Sequence, residues 1–331
     1  MTRKILLGIA VVVVVCTAVY LKYLRARAPR GVAYAGNREV VLWSAAAQVR
    51  EPVATVNFGD RLEILGHFQD RVKVRSPNRI TGWVSQSDLL TPDVWQRARD
   101  LAAKTAVMPV QASGHTRVIS NLHVEAGRES PRIRQLSKTI PVDMLQRTVA
   151  DAPVNNAGEE NSDEPVEAKK EDWWLVRAHT PDQMSVSGWM LGKFIDLDAP
   201  APLRDLASSA GIHIMGWFEL NSVKDPSGGQ KPQYLVVGSR GAEGQPCDFT
   251  LMRVFTWSAH RQQYETAFIT SNVCGKLPVT VTRPSLPGGD ATFSFSELGR
   301  GSPEERTYRM HQTIVRRVRE SGTGTSSKHP R

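Results

Sequence analysis

The chain has 331 residues, more than one small core accommodates, so its length points to two or three domains. With 40% hydrophobic and 23% charged residues it is neither collagen-like nor wholly disordered. A net charge of +9 suits anionic partners such as phospholipid head groups, teichoic-type polymers or nucleic acid, but it is spread along the chain and singles out none of them.

Residues 5–21, ILLGIAVVVVVCTAVYL, carry no charge and reach the lower length limit for a membrane-spanning helix. Arg3 and Lys4 precede the run, and Lys22, Arg25, Arg27 and Arg30 follow it. Ala26-Arg27-Ala28 has the small-residue form of a signal cleavage site, but Pro29 obstructs it. Val15 before Cys16 argues against lipidation. Residues 1–30 are therefore expected to be an uncleaved transmembrane anchor, with a signal peptide as the alternative. The flanking positive charge would keep the following side cytoplasmic, whereas the rest of the chain reads as exported, and long domains translocate despite such charge. The expectation is a single-pass inner-membrane protein whose domains face the periplasm or the outside; a cytoplasmic, membrane-tethered adaptor is the alternative.

Residues 30–37 read as a linker. From 38 to 91 short runs alternate apolar and polar residues with period two, the mark of strands with one buried face. They are EVVLW (39–43), RLEILGHF (61–68), RVKVRS (71–76) and TGWVS (81–85), with turns at NFGD and SPNR. Residues 91–108, within a linker at 92–112, are helical in character, with Thr91 as N-cap and Pro92 in the first turn. The pattern then recurs over 113–198: WWLVRAHT (173–180) answers RVKVRSPN, and SGWMLGKFIDL (187–197) answers TGWVSQSDLL. An insert at 151–172, rich in acids and without apolar period, is expected to be a mobile surface loop.

Within residues 39–90, Gly59, Asp60, Val72, Val74, Gly82, Trp83, Val84 and Leu89 stand where the pattern of bacterial SH3 (SH3b) domains asks, so this stretch resembles that family. The resemblance implies two small barrels in tandem. The fold class is then mainly β: two SH3b-like barrels, a β-rich C-terminal domain and an N-terminal transmembrane helix. The layout resembles uncharacterised bacterial envelope proteins that carry SH3 domains, which implies location and architecture but no reaction.

After APAP (199–202), read as a linker, residues 203–321 form a β-rich domain. Its expected strands are IHIMGWFELNSV, QYLVVGSR, FTLMRVFTW, QYETAFITS, LPVTVTR and ATFSFSEL; residues 306–321 are a final strand or short helix, and 322–331 a disordered tail. Cys247 and Cys274 flank the hairpin at 255–268 symmetrically, which makes them a disulfide candidate in an oxidising compartment, against the alternative of two buried thiols.

No HExxH, GxSxG, P-loop or GxGxxG is present, and the eight histidines are scattered. A thiol peptidase would need Cys247 with His260 or His311, but GQPCDFTLMRVF runs directly into a strand rather than opening a helix. Glu39, Asp60, Glu63 and Asp88 form no recognisable acid–base pair. No stripe of basic and aromatic residues marks a nucleic-acid groove. The chain is thus expected to be no enzyme and to need no cofactor or metal. It would bind peptidoglycan or an extended peptide of an envelope protein through Trp83, Trp189 and Trp43, whose aromatic faces suit an extended ligand. An envelope hydrolase with its site in the C-terminal domain is the alternative. Oligomeric state is unspecified.

Overall fold

The structure is a computed structural model that describes residues 29–153, 169–182, 184–286, 289–299 and 302–318. The chain is mainly β, with two helices and three antiparallel sheets among the described residues. It divides into two compact units, Met1–Arg99 and Asp100–Arg331.

The first unit holds one sheet. Its strands are β1 (Gly31–Ala35), β2 (Glu39–Trp43), β3 (Pro52–Asn57), β4 (Arg61–Phe68), β5 (Arg71–Arg75), β6 (Thr81–Ser85) and β7 (Leu89–Leu90), in the order β3-β2-β6-β5-β4-β1-β7. A 3₁₀ turn, Gln86–Asp88, links β6 to β7. Period-two alternation sends Val40 and Leu42, Val72 and Val74, and Gly82 and Val84 inward. The valines and Leu42 join Ala35, Val56 and Leu62 in one core cluster. Each fully buried aliphatic side chain contributes about 1.5–3 kcal/mol. Residues 31–35, read from sequence as linker, are instead strand β1: GVAYA lacks alternation and is held by pairing with β4, Gly31 opposite Ile64.

Helix α1 spans Pro92–Thr105. Thr91 caps it, its Oγ1 accepting the Val94 N–H at 3.3 Å. Trp95 on its first turns stacks on Tyr34 at 5.2 Å and meets the edge of Phe58 at 5.5 Å. Gly59 lies under that indole, where a Cβ would come within 2.6 Å of the ring.

The second unit begins with β8 (Ala112–Thr116), β9 (Ser120–His123), β10 (Arg132–Leu136), β11 (Pro141–Asp151), β12 (Lys170–His179), β13 (Ser185–Leu191) and β14 (Ile195–Leu197). Their order, β10-β9-β13-β12-β11-β8-β14, is that of the first sheet with every strand number raised by seven. The two Gly-Trp phrases fall on equivalent strands. In β6, Trp83 lies opposite Trp43; in β13, Trp189 lies opposite His123. A Cβ on Gly82 would meet Leu42 Cβ at 2.7 Å and Trp43 O at 3.2 Å; one on Gly188 would meet Leu122 Cβ at 2.8 Å and His123 O at 3.1 Å. Both glycines are therefore there because a neighbouring backbone crosses too closely for any side chain.

Helix α2 (Ala201–Ser209) follows, so APAP leads into a helix rather than a free linker. Seven strands then pair in chain order: β15 (His213–Lys224), β16 (Gln230–Ser239), β17 (Phe249–Ser258), β18 (Gln263–Thr282), β19 (Ala291–Glu297), β20 (Glu304–His311) and β21 (Ile314–Val318). QYETAFITS and LPVTVTR are one strand, β18, with a register shift between Lys276 and Thr280. The final segment is a hairpin, with Met310 opposite Val315.

Buried Gln111 stitches the second and third sheets. Its Oε1 accepts the Val279 N–H at 2.7 Å, and its carbonyl accepts the Trp217 N–H at 3.2 Å. The acidic insert also needs correction at its end: residues 170–172 belong to β12, and Glu171 is buried. Residues 154–168, the core of that expected loop, and the tail at 322–331 lie outside the described residues. So does the apolar run at 5–21. Among the described residues no helix is long and apolar enough to cross a membrane, and the expected anchor lies outside them.

Candidate functional site

In the first unit, β2 and β6 place Trp43 and Trp83 side by side, both half-buried. The Arg50 guanidinium lies 4.6 Å from the Trp43 ring centroid, and Lys73 Nζ lies 5.8 Å from that of Trp83. Phe68, 55% exposed, presents its edge to Trp83 at 6.5 Å. Cations over indole faces are held by the ring quadrupole. The result is an apolar strip edged with positive charge, suited to an extended ligand with carboxylates along it. Phe68, Arg50 and Lys73 are missing from the sequence reading; Phe68, at the exposed end of a strand, is the one that could have been found, as an unburied aromatic.

Trp189 belongs to the other unit. Its cross-strand neighbour is His123, whose Nδ1 donates to the Ser130 carbonyl at 2.7 Å and whose ring meets Trp173 at 5.4 Å. The three tryptophans expected to act alike thus fall into a pair and a single residue.

A cleft of about 250 Å³ opens in the second unit between the second and third sheets. Its lining includes Trp174, Lys193, His213, Ser239, Glu243 and Cys247. Its floor is an ion cluster. Buried Arg147 donates to Asp172 Oδ1 at 2.6 Å, to Asp248 Oδ1 at 2.9 Å, and to the carbonyls of Gln245 and Cys247 at 3.0 and 3.2 Å. Burial opposes its charge, but the Asp172 and Asp248 carboxylates outweigh that cost and raise its pKa. Lys276 Nζ reaches Asp248 at 2.8 Å, and the Leu277 N–H donates to the same carboxylate at 2.9 Å. Beside the cleft, Glu171 accepts from Arg128 Nε and Nη2 at 2.9 and 2.6 Å and from Lys193 Nζ at 2.8 Å. The Arg128 hydrogen bonds, with Lys193 behind them, hold its carboxyl down at about 2.

Cys247 and Cys274 are joined by a disulfide. The sulfur that a thiol peptidase would need is therefore engaged, and no other cysteine falls among the described residues. His311 is paired with Asp290 at 2.6 Å. Among the described residues no group of three His, Cys, Asp or Glu side chains is arranged to hold a metal ion.

No family model matches the chain, and no curated protein matches it. Among solved structures it is similar to NlpC1 from Trichomonas vaginalis (12% identity, TM-score 0.17, 54% of this chain and 51% of that one). It is also similar to an NlpC/P60 family protein from Bacillus cereus ATCC 10987 (12%, 0.22, 73% and 94%) and to NlpC2 from Trichomonas vaginalis (10%, 0.18, 74% and 98%). The chain spans about half the length of the first of these. The SH3b resemblance is withdrawn: no family model, SH3b included, matches the chain. The expectation that the chain is no enzyme is withdrawn: the solved structures found are named as NlpC and NlpC/P60 proteins. TM-scores of 0.17–0.22 carry neither fold nor reaction over to this chain.

Proposed function

We propose that the protein works outside the cytoplasm, where it grips a peptide-bearing cell-wall polymer on the Trp43–Trp83 strip. The observation that carries this reading is the pair of adjacent half-buried indoles under Arg50 and Lys73, with exposed Phe68 at the edge. Such a strip offers stacking to apolar stems and positive charge to carboxylates. The Cys247–Cys274 disulfide supports the compartment, because such bonds persist in oxidising surroundings. The test is sedimentation of the full chain with purified peptidoglycan. The Trp43→Ala/Trp83→Ala double variant should lose retention at least about tenfold, as expected when aromatic anchors are truncated. Equal retention of both proteins removes the reading.

A second reading, hydrolysis of the held polymer, is favoured by the cleft lined by Lys193, His213 and Glu243. With Cys247 in a disulfide, acid–base work would fall to His213 and Glu243. Release of soluble fragments that His213→Ala abolishes supports it; retention without release, or release unchanged in that variant, rejects it.

A further inference from the structure

At the open end of the β4–β5 hairpin of the first unit, Arg61, Glu63, Arg75, Ser76, Pro77 and Arg79, none of them a residue of the tryptophan strip, enclose a pocket of about 550 Å³. Three guanidiniums face one carboxylate, leaving a net charge of +2 (3 − 1). That carboxylate is already engaged: Glu63 Oε2 lies 3.1 Å from Arg75 Nη1, and Oε1 lies 3.9 Å from Arg61 Nη1. Arg79 makes no side-chain hydrogen bond or ion pair among the described residues.

The backbone under Arg79 sharpens the question of its role. Its φ is 63°, a left-handed conformation that disfavours an L side chain by about 1 kcal/mol and that glycine or asparagine takes more readily. The turn holding it is firmly tied. The Arg79 N–H donates to the Ser76 carbonyl at 2.9 Å, and the Ile80 N–H donates to Ser76 Oγ at 3.2 Å. A rigid turn therefore holds an uncompensated guanidinium on the pocket wall.

We propose that this pocket is a phosphate-recognition site, taking the phosphodiester of an anionic envelope polymer or of a lipid head group. A carboxylate fills one guanidinium fork, which Glu63 already does for Arg75. A phosphate offers more acceptor oxygens and matches the remaining forks of Arg61 and Arg79. The volume leaves room for the groups on either side of a phosphodiester.

The experiment measures binding of the full chain to poly(glycerol phosphate), and separately to vesicles of phosphatidylcholine with and without phosphatidylglycerol. The variants are Arg79→Gly, Arg61→Gln and Arg38→Gln. Arg79→Gly removes the cation while relieving the backbone, so its thermal midpoint should hold or rise. Arg38→Gln removes the same charge from an exposed position outside the pocket. Arg79→Gly and Arg61→Gln should each weaken binding about tenfold, in the range of a charge-assisted hydrogen bond to an ionised partner, while Arg38→Gln should not. A loss confined to the polymer or to the phosphatidylglycerol vesicles identifies the source of the phosphate. No binding of the wild-type chain to any probe, or equal losses in all three variants, overturns the site.

Discussion

Gly82 and Gly188 show how a repeated phrase is written by space rather than by chemistry. Each lies where the preceding part of its own sheet crosses, with backbone oxygen and a leucine Cβ already occupying the room a methyl would need. Gly82→Ala and Gly188→Ala should each destabilise by about 1–3 kcal/mol, the usual range for overpacking, as measured by chemical denaturation. The repetition is visible in the sequence, but the crowding that enforces it is not, because Leu42 and Leu122 are far from the glycines along the chain. Glu171 makes a different residue-scale prediction. Its carboxyl is held at about 2 against an ordinary 4.5, so its stabilisation is complete above about pH 4.5 and is lost as pH falls through 2. Glu171→Gln should lower stability at neutral pH and flatten the loss between pH 4.5 and 2 in an acid titration. Composition alone leaves such a residue undetected: in a stretch rich in acids it reads as solvated, and only its pairing opposite Ala150 reveals a strand.

At the scale of elements, the segment from 240 to 248 is held largely by side chains of distant strands, Arg147 foremost. Arg147 reaches two carboxylates and two carbonyls, at sequence separations up to 101 residues. Removing one partner of such a buried cluster strands the opposite charges, so Arg147→Ala should cost about 3–5 kcal/mol in the second unit. Loss below about 1 kcal/mol in denaturant unfolding would contradict this account. Elements with clean alternation, such as β2, β5 and β6, were legible because each carries its own inward face. GVAYA was not, since β1 earns its place by pairing with β4. The β20–β21 hairpin was missed because its turn uses Gln312 at φ 53° in place of a glycine. Of the candidate site, the indoles could be named from sequence. Their cationic partners could not: Arg50 lies in the irregular segment after β2, and Lys73 reads as the solvent side of a strand.

For the whole molecule, the division near residue 99 leaves the disulfide entirely in the second unit. Calorimetry should therefore resolve two transitions, only one of which responds to reductant. A bridge closing 27 residues is worth about 3 kcal/mol, which lowers the midpoint of a unit of this size by roughly 6–12 °C. A shift of both transitions together would show that the units unfold as one. Alternation foretold a mainly β chain; pairings across a hundred positions, which build the cleft, have no local signature.

The turn between β17 and β18 lies inside the ring closed by the disulfide, and Arg261 stands on it with its side chain 67% exposed. A trypsin cut there severs the chain without freeing either part: the strands keep their ladder and the sulfurs keep a covalent tether. Such nicked protein should run as one band on a non-reducing gel and as two fragments once thiol is added.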